Sequence, residues 1–212
     1  MSEKIAVHWF RQDLRIKDNP SLEAASKCDS FIPIYILDDT NSGEFKMGSA
    51  SRWWLYNSLN KLNESLGGSL RLFKGDPCEI LPKLIEDYSV SNVFWNRCYE
   101  PWRIDRDKKI KNELETNNII VESFCGSLLW EPWNISKDDG TPYRVFTPYY
   151  KKGCLNASEP RLPISEPGLE NITKKDNVSD NLQSLDLLPK SNWYAGFEEE
   201  WSPGEEGAEK NL

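Results

Sequence analysis

Val93-Phe94-Trp95-Asn96-Arg97-Cys98-Tyr99-Glu100-Pro101-Trp102-Arg103-Ile104-Asp105-Arg106-Asp107 is the stretch on which the reading of this chain turns. Its apolar beginning reads as a buried strand. Its charged second half reads as a helix with Pro101 at the opening position, where the missing N–H is not needed. The turn between them carries an amide, guanidinium groups, a phenol, a carboxylate and indoles. A turn that only reverses the chain is satisfied by Gly, Asn or Asp. This one has the chemistry to hold something flat and polar.

Outward from it, residues 5–10, 31–37, 70–73 and 119–124 are further short apolar runs bounded by breakers. Pro33 is tolerable near the start of the second run and would not be in its centre. Helical patterns lie between the runs. Asn19-Pro20 gives a cap followed by a first-turn proline, for a helix reaching about Lys27. Leu55, Leu59, Leu62 and Leu66 share one face of the next helix, which Gly67-Gly68 stops. Gly75-Asp76-Pro77 opens a third, with Leu81, Leu84, Ile85 and Tyr88 as its stripe; Pro82 is expected to kink it or confine its start to a loose turn. Strands alternating with helices imply right-handed crossovers. The expected fold is α/β, a doubly wound five-stranded parallel sheet of order 3-2-1-4-5 with a long irregular C-terminal linker. Residues 1–130 form that Rossmann-like domain. Residues 131–154 are an aromatic extension, with a loose hairpin around Asp138-Asp139-Gly140 and a short helix through Thr147-Pro148. Residues 155–212 read as linker.

Composition removes several function classes. The net charge is −8 over 212 residues, and an acidic surface repels phosphate backbones, so this chain alone is a poor nucleic-acid binder. Five cysteines without a C-x-x-C, one histidine and no apolar run of spanning length point to a cytoplasmic protein with reduced thiols, no metal and no membrane segment. No Gly-x-Gly-x-x-Gly follows the first strand, no P-loop is present and no serine sits in a nucleophile elbow. His8 lies inside a strand and reads as a core histidine.

In an open parallel sheet, ligands sit beyond the carboxyl ends of the strands where the order reverses. That places a crevice between Phe10-Arg11 and Asn96-Arg97. Asn96 and Glu100 have the groups to pair with the edge of a heterocycle, and Trp95, Tyr99 or Trp102 to stack on its face. In the structural alternative, Arg11, Arg15, Arg97 and Arg103 form ion pairs with Asp13, Asp38 and Glu100 that only fix the loops. The indoles of Ser51-Arg52-Trp53-Trp54 read as packing.

Several of these strings together resemble the DNA photolyase and cryptochrome family. They are His8-Trp9-Phe10-Arg11-Gln12-Asp13-Leu14-Arg15, Asp18-Asn19-Pro20-Ser21-Leu22, Tyr35-Ile36-Leu37-Asp38, Ser51-Arg52-Trp53-Trp54-Leu55, Gly75-Asp76-Pro77, Trp95-Asn96-Arg97-Cys98-Tyr99-Glu100-Pro101 and Thr141-Pro142-Tyr143-Arg144-Val145-Phe146-Thr147-Pro148-Tyr149. Trp201-Ser202-Pro203-Gly204-Glu205-Glu206-Gly207-Ala208 is similar to the junction where the family's helical flavin domain begins. The resemblance implies an antenna-type N-terminal domain, followed in the whole protein by a domain that binds FAD and damaged DNA. Light-excited reduced flavin there splits cyclobutane pyrimidine dimers. It also implies a second chromophore in the present domain: methenyltetrahydrofolate, 8-hydroxy-5-deazaflavin or a second flavin. The pocket expected for it is formed by Leu37, Asp38, Lys46, Arg52, Asn96 and Glu100, beside Tyr99 and Arg103. No catalytic residue is expected in this chain, which is expected to be inactive alone. Trp102-Arg103 stand where folate-binding bacterial members carry an Asn-Glu pair, and Phe45 or Lys46 near the place of a loop histidine. A deazaflavin, a flavin, another folate pose and an empty scaffold therefore stay open, as does a light-signalling cryptochrome fragment.

Overall fold

A computed structural model describes residues 3–174, 176 and 180–212. Strands β1 (Ile5–Phe10), β2 (Ser30–Leu37), β3 (Arg71–Lys74), β4 (Asn92–Asn96) and β5 (Ile120–Phe124) form one sheet in the order β3-β2-β1-β4-β5. Every pairing is parallel, as the alternation of strands and helices requires. The crossovers are α1 (Pro20–Ser26), α2 (Ser49–Ser65), α3 (Pro77–Tyr88) and α4 (Pro101–Thr116). Asn19 and Asp76 cap α1 and α3 by accepting from the N–H groups of Leu22 and Cys78.

The two-residue period of the strands sorts their side chains into two cores. Ala6, Phe10, Phe31, Tyr35, Leu37 and Phe94 face α1 and α2, meeting Leu22, Leu55, Leu59 and Leu62. Val7, Trp9, Ile32, Ile34, Ile36, Val93 and Trp95 face the other way, onto Leu81 and Leu84 of α3 and Ile110 and Leu114 of α4. Both faces are buried, so the strands read as unbroken apolar runs.

Three local expectations meet the backbone differently. Pro33 is paired with β1, yet its missing N–H costs no ladder bond. Phe31 sends both backbone groups toward the tail, donating to Asn171 O and accepting from Thr173 N, while β3 pairs only from Ile34 onward. Pro33 points to that same edge and falls in the gap between the two. α3 runs from Pro77 through Pro82 as one helix, not as a loose first turn. Around Asp138-Asp139-Gly140 no strands form; Lys137 and Thr141 close a tight turn instead, with Asp139 accepting from the Thr141 backbone.

Several of the described residues beyond 155 pack on the domain. Asp180 N donates to Leu72 O, so the tail covers the edge of β3. Asn171 Nδ2 caps the carbonyls of Ser26 and Cys28 at the end of α1. Leu185 and Leu187 are buried in the core on the α2 side. The short helices α5 (Phe146–Pro148), α6 (Phe197–Glu200) and α7 (Glu205–Lys210) complete the chain. Among the described residues no helix is long and apolar enough to cross a membrane.

Candidate functional site

The crevice between the ends of β1 and β4 is filled by the protein itself. Asn96 shares its sheet face with His8 and Phe94, so it points at the start of α1. Its Nδ2 donates to Asp13 Oδ2 at 2.5 Å and to Asn19 Oδ1 at 2.8 Å. Asp13 also accepts from the Arg11 backbone and from Asn19 Nδ2. Asn19 Oδ1 further receives Ser21 Oγ, and Ser21 in turn meets His8 Nε2 at 2.8 Å. Since Ser21 spends its proton on Asn19, the His8 proton belongs on Nε2. Complete burial holds the His8 pKa down to about 4, against the opposing pull of Asp13 and Asn19. Gly126 packs so closely on Asn96 that a Cβ there would lie 2.4 Å from its Cγ. The amide is therefore a structural keystone at the switch point and does not reach open space.

The open space lies one strand over. A cavity of about 860 Å³ sits beyond the carboxyl ends of β1 and β2. Its floor is Trp9, Phe10, Tyr35, Ile36 and Leu37, and its walls include Met47, Trp54, Trp102 and Arg103. The first turns of α2 and α4 both border it, and neither helix has a side-chain cap on its N-terminal N–H groups. Burial pushes the Tyr35 phenol up to about 12, so it is a neutral hydroxyl at the cavity floor.

Ion pairs frame this space, most of them with partners other than those expected from sequence. Arg11 pairs with Asp107 at 2.7 Å, and Arg106 joins Asp38 at 2.7 Å to Asp107 at 2.8 Å. Both guanidiniums lie over the Trp9 ring, at 4.1 and 5.0 Å. Arg97 pairs with Glu131, and Arg15 donates to the Gly126 carbonyl at 2.6 Å. Arg103 keeps the expected partner, pairing with Glu100 at 3.7 Å. Arg106 was not among the residues singled out from sequence. Its signal was present, since it lies three positions after Arg103 and so on the same helix face.

Of the residues expected to form the pocket, Leu37, Asp38 and Arg103 line the cavity. The other five stand outside its lining. Asn96 is locked in the network above. Arg52 clamps the loop after β2, pairing with Asp39 at 2.7 Å and donating to Met47 O. Lys46 is exposed between the lining residues Phe45 and Met47. Glu100 precedes α4 and accepts from Gln12. Tyr99 donates to Glu131 at 2.9 Å, and its pKa is raised by burial first, then by Cys125 and Glu131. Trp95 is core, packed edge-on to Trp9.

Several of the lining residues also carry buried donors. Trp9 Nε1, Arg11 Nη1, Ser42 Oγ and Arg103 Nε are buried polar atoms of cavity residues with no hydrogen-bond partner. Such atoms are costly to bury unpaired. All four are enclosed by protein and present no surface to the cavity, so they belong to the packing around it.

Comparison with known proteins agrees with this fold. The deoxyribodipyrimidine photo-lyase of Agrobacterium fabrum is 39% identical over all of this chain and 45% of its own length. Cryptochrome-2 of Arabidopsis thaliana is 34% identical over 99% of the chain and 36% of its own length. The chain thus spans less than half of these relatives. The crystal structure of a class III photolyase from Agrobacterium tumefaciens superposes with a TM-score of 0.87 at 36% identity, over 99% of this chain and 44% of that one. The archaeal photolyase from Sulfolobus tokodaii, solved with two FAD molecules, gives 0.66 at 25% identity, over 85% and 40%. The DNA photolyase family model matches residues 6–167, and with relatives aligned along its whole length the chain belongs to the DNA photolyase family.

Proposed function

We propose that this chain is the N-terminal domain of a deoxyribodipyrimidine photolyase and that its cavity seats a light-harvesting chromophore. Residues 1–130, with the segment around 204–212, enclose the chromophore's seat, and residues 155–212 lead toward a C-terminal domain that binds FAD and damaged DNA. FAD bound there would supply the electron that splits a cyclobutane pyrimidine dimer. This chain's own part is to seat, shield and orient the antenna so that its excitation passes on.

The observation that carries the reading is the cavity at the ends of β1 and β2. Its volume of about 860 Å³ lies within the roughly 300–1,000 Å³ usual for small-molecule sites. Indoles give it flat walls, and two helix starts without side-chain caps offer N–H groups that favour an acceptor. Methenyltetrahydrofolate, 8-hydroxy-5-deazaflavin and a flavin all present fused planar rings with oxygen and nitrogen acceptors. Titrating the protein with each, and following visible absorbance and fluorescence, tests the reading. One of them should bind in a one-to-one complex; well-folded protein that binds none of them would contradict it.

The match to an Arabidopsis cryptochrome favours a second reading, a light-signalling protein built on the same domain. Dimer-repair assays on the whole protein separate the two, because only the photolyase reading requires turnover.

A further inference from the structure

One wall of the cavity comes from the segment around α7. Gly204, Glu205, Ala208, Glu209 and Leu212 border it, opposite the strand ends. This segment is tied down at both ends. Upstream, Trp201 packs edge-on to Trp54 at 6.0 Å, and Phe197 edge-on to Trp53 at 5.2 Å, so aromatic contacts fasten it to α2. Downstream, both carboxylate oxygens of Glu205 accept from consecutive backbone amides, Ile16 N and Lys17 N, each at 2.8 Å. Lys17 Nζ adds a 2.6 Å pair to Glu209.

The backbone is shaped for this path. Gly204 has φ of 99°, in the region that favours glycine. Gly207 is buried, and a Cβ on it would lie 1.8 Å from the Ser202 carbonyl oxygen. The loop that receives Glu205 is itself fixed. Ile16 is in the core, Arg15 holds the Gly126 carbonyl, and Asp18 N donates to Ile164 O. Any opening motion on this side therefore belongs to residues 201–212, held by the Trp201–Trp54 contact, two hydrogen bonds from backbone amides to Glu205 and one exposed ion pair, and not to the loop.

We propose that residues 201–212 are a latched wall of the cavity, with Glu205 as the latch, so that occupancy of the cavity and docking of this segment stabilise each other. The occupancy half rests on the chromophore reading above; the latch half does not. Linkage makes the coupling reciprocal: a ligand that packs against the closed wall slows its opening, and loosening the wall speeds the ligand's escape.

Hydrogen exchange at the Ile16 and Lys17 amides reads the latch directly. Glu205→Ala should speed exchange at both by roughly tenfold or more, leaving β1 amides unchanged. Gly207→Ala should do the same by prying up the wall, without altering any cavity-lining side chain. Glu206→Gln, whose carboxylate pairs with Lys210 and not with the loop that receives Glu205, should change nothing. For the coupling, the probe is whichever of methenyltetrahydrofolate, 8-hydroxy-5-deazaflavin or FMN the wild type holds. It should dissociate at least about fivefold faster from both Glu205→Ala and Gly207→Ala, and should slow Ile16 and Lys17 exchange in the wild type. Unchanged exchange in Glu205→Ala overturns the latch. Faster exchange with unchanged probe dissociation overturns the coupling while leaving the latch. Wild type that holds none of the three probes removes the chromophore reading and the coupling together, and the exchange result alone then decides the latch.

Discussion

At the scale of single residues, the buried network His8–Ser21–Asn19–Asn96–Asp13 and the cavity divide the work of the switch point. The network contains one carboxylate, and three donors converge on it. Asp13→Ala leaves the Asn96 amide without its shortest bond and frees the Arg11 amide. We expect a loss of about 2–4 kcal/mol, read by urea unfolding. His8 carries the pH dependence. Its folded pKa of about 4 lies below the ordinary value of 6.5, so between those values the unfolded chain binds a proton that the folded one does not. Its neutral burial is fully tolerated above pH 6.5, and stability falls as pH drops toward 4, by on the order of 3 kcal/mol in total. Urea unfolding at pH 7 and 4.5 should show a steeper loss for wild type than for His8→Gln; parallel losses would contradict this. Little of this was legible beforehand. Asn96 bonds to a residue 83 positions away, and sequence offers it several carboxylates without saying which. For the same reason the partners of Arg11, Arg97 and Arg15 differ from those expected: Asp107, Glu131 and the Gly126 carbonyl win because the folded turn brings them nearest.

At the scale of elements, local signals were sufficient. Asn19-Pro20 and Asp76-Pro77 each start a helix with the cap geometry their side chains allow. The short apolar runs became the five strands to within about a residue at each end, because both faces of the sheet are covered. Pro82 misled, since its effect depends on whether the helix around it is held by packing, and Leu81 and Leu84 hold it. The tail was the least legible element. Its composition is that of a linker, yet Leu185 is 0% and Leu187 is 2% exposed, whereas Leu162 is 84% exposed. Two leucines in a polar stretch carry no periodicity to announce them. Leu185→Ala should cost about 2–5 kcal/mol in urea unfolding, and Leu162→Ala well under 1 kcal/mol. Equal, small effects would mean that the tail is not part of the core.

At the scale of the whole molecule, the domain offers a preformed seat at the sheet's carboxyl edge, floored by β1 and β2 and walled by α2, α4 and the segment around α7. The fold class and sheet order were legible because alternation and handedness leave few topologies open. The location of the cavity was legible only to within one strand. The residue that looked most like a ligand to a heterocycle, Asn96, is the one the fold uses to close the switch point, and the space opens where large side chains stop. The central claim is that this space takes a planar chromophore. Its most direct test is a titration of the wild type and of Ala50→Trp with methenyltetrahydrofolate, 8-hydroxy-5-deazaflavin and FMN, followed by visible absorbance and fluorescence. Ala50 is exposed, lies in the first turn of α2 and borders the cavity, so an indole there fills the seat without disturbing the core. One chromophore should bind the wild type one-to-one, and Ala50→Trp should weaken it by roughly a hundredfold or more, about 3 kcal/mol. No binding to folded wild type, or binding that Ala50→Trp leaves unchanged, would contradict the claim.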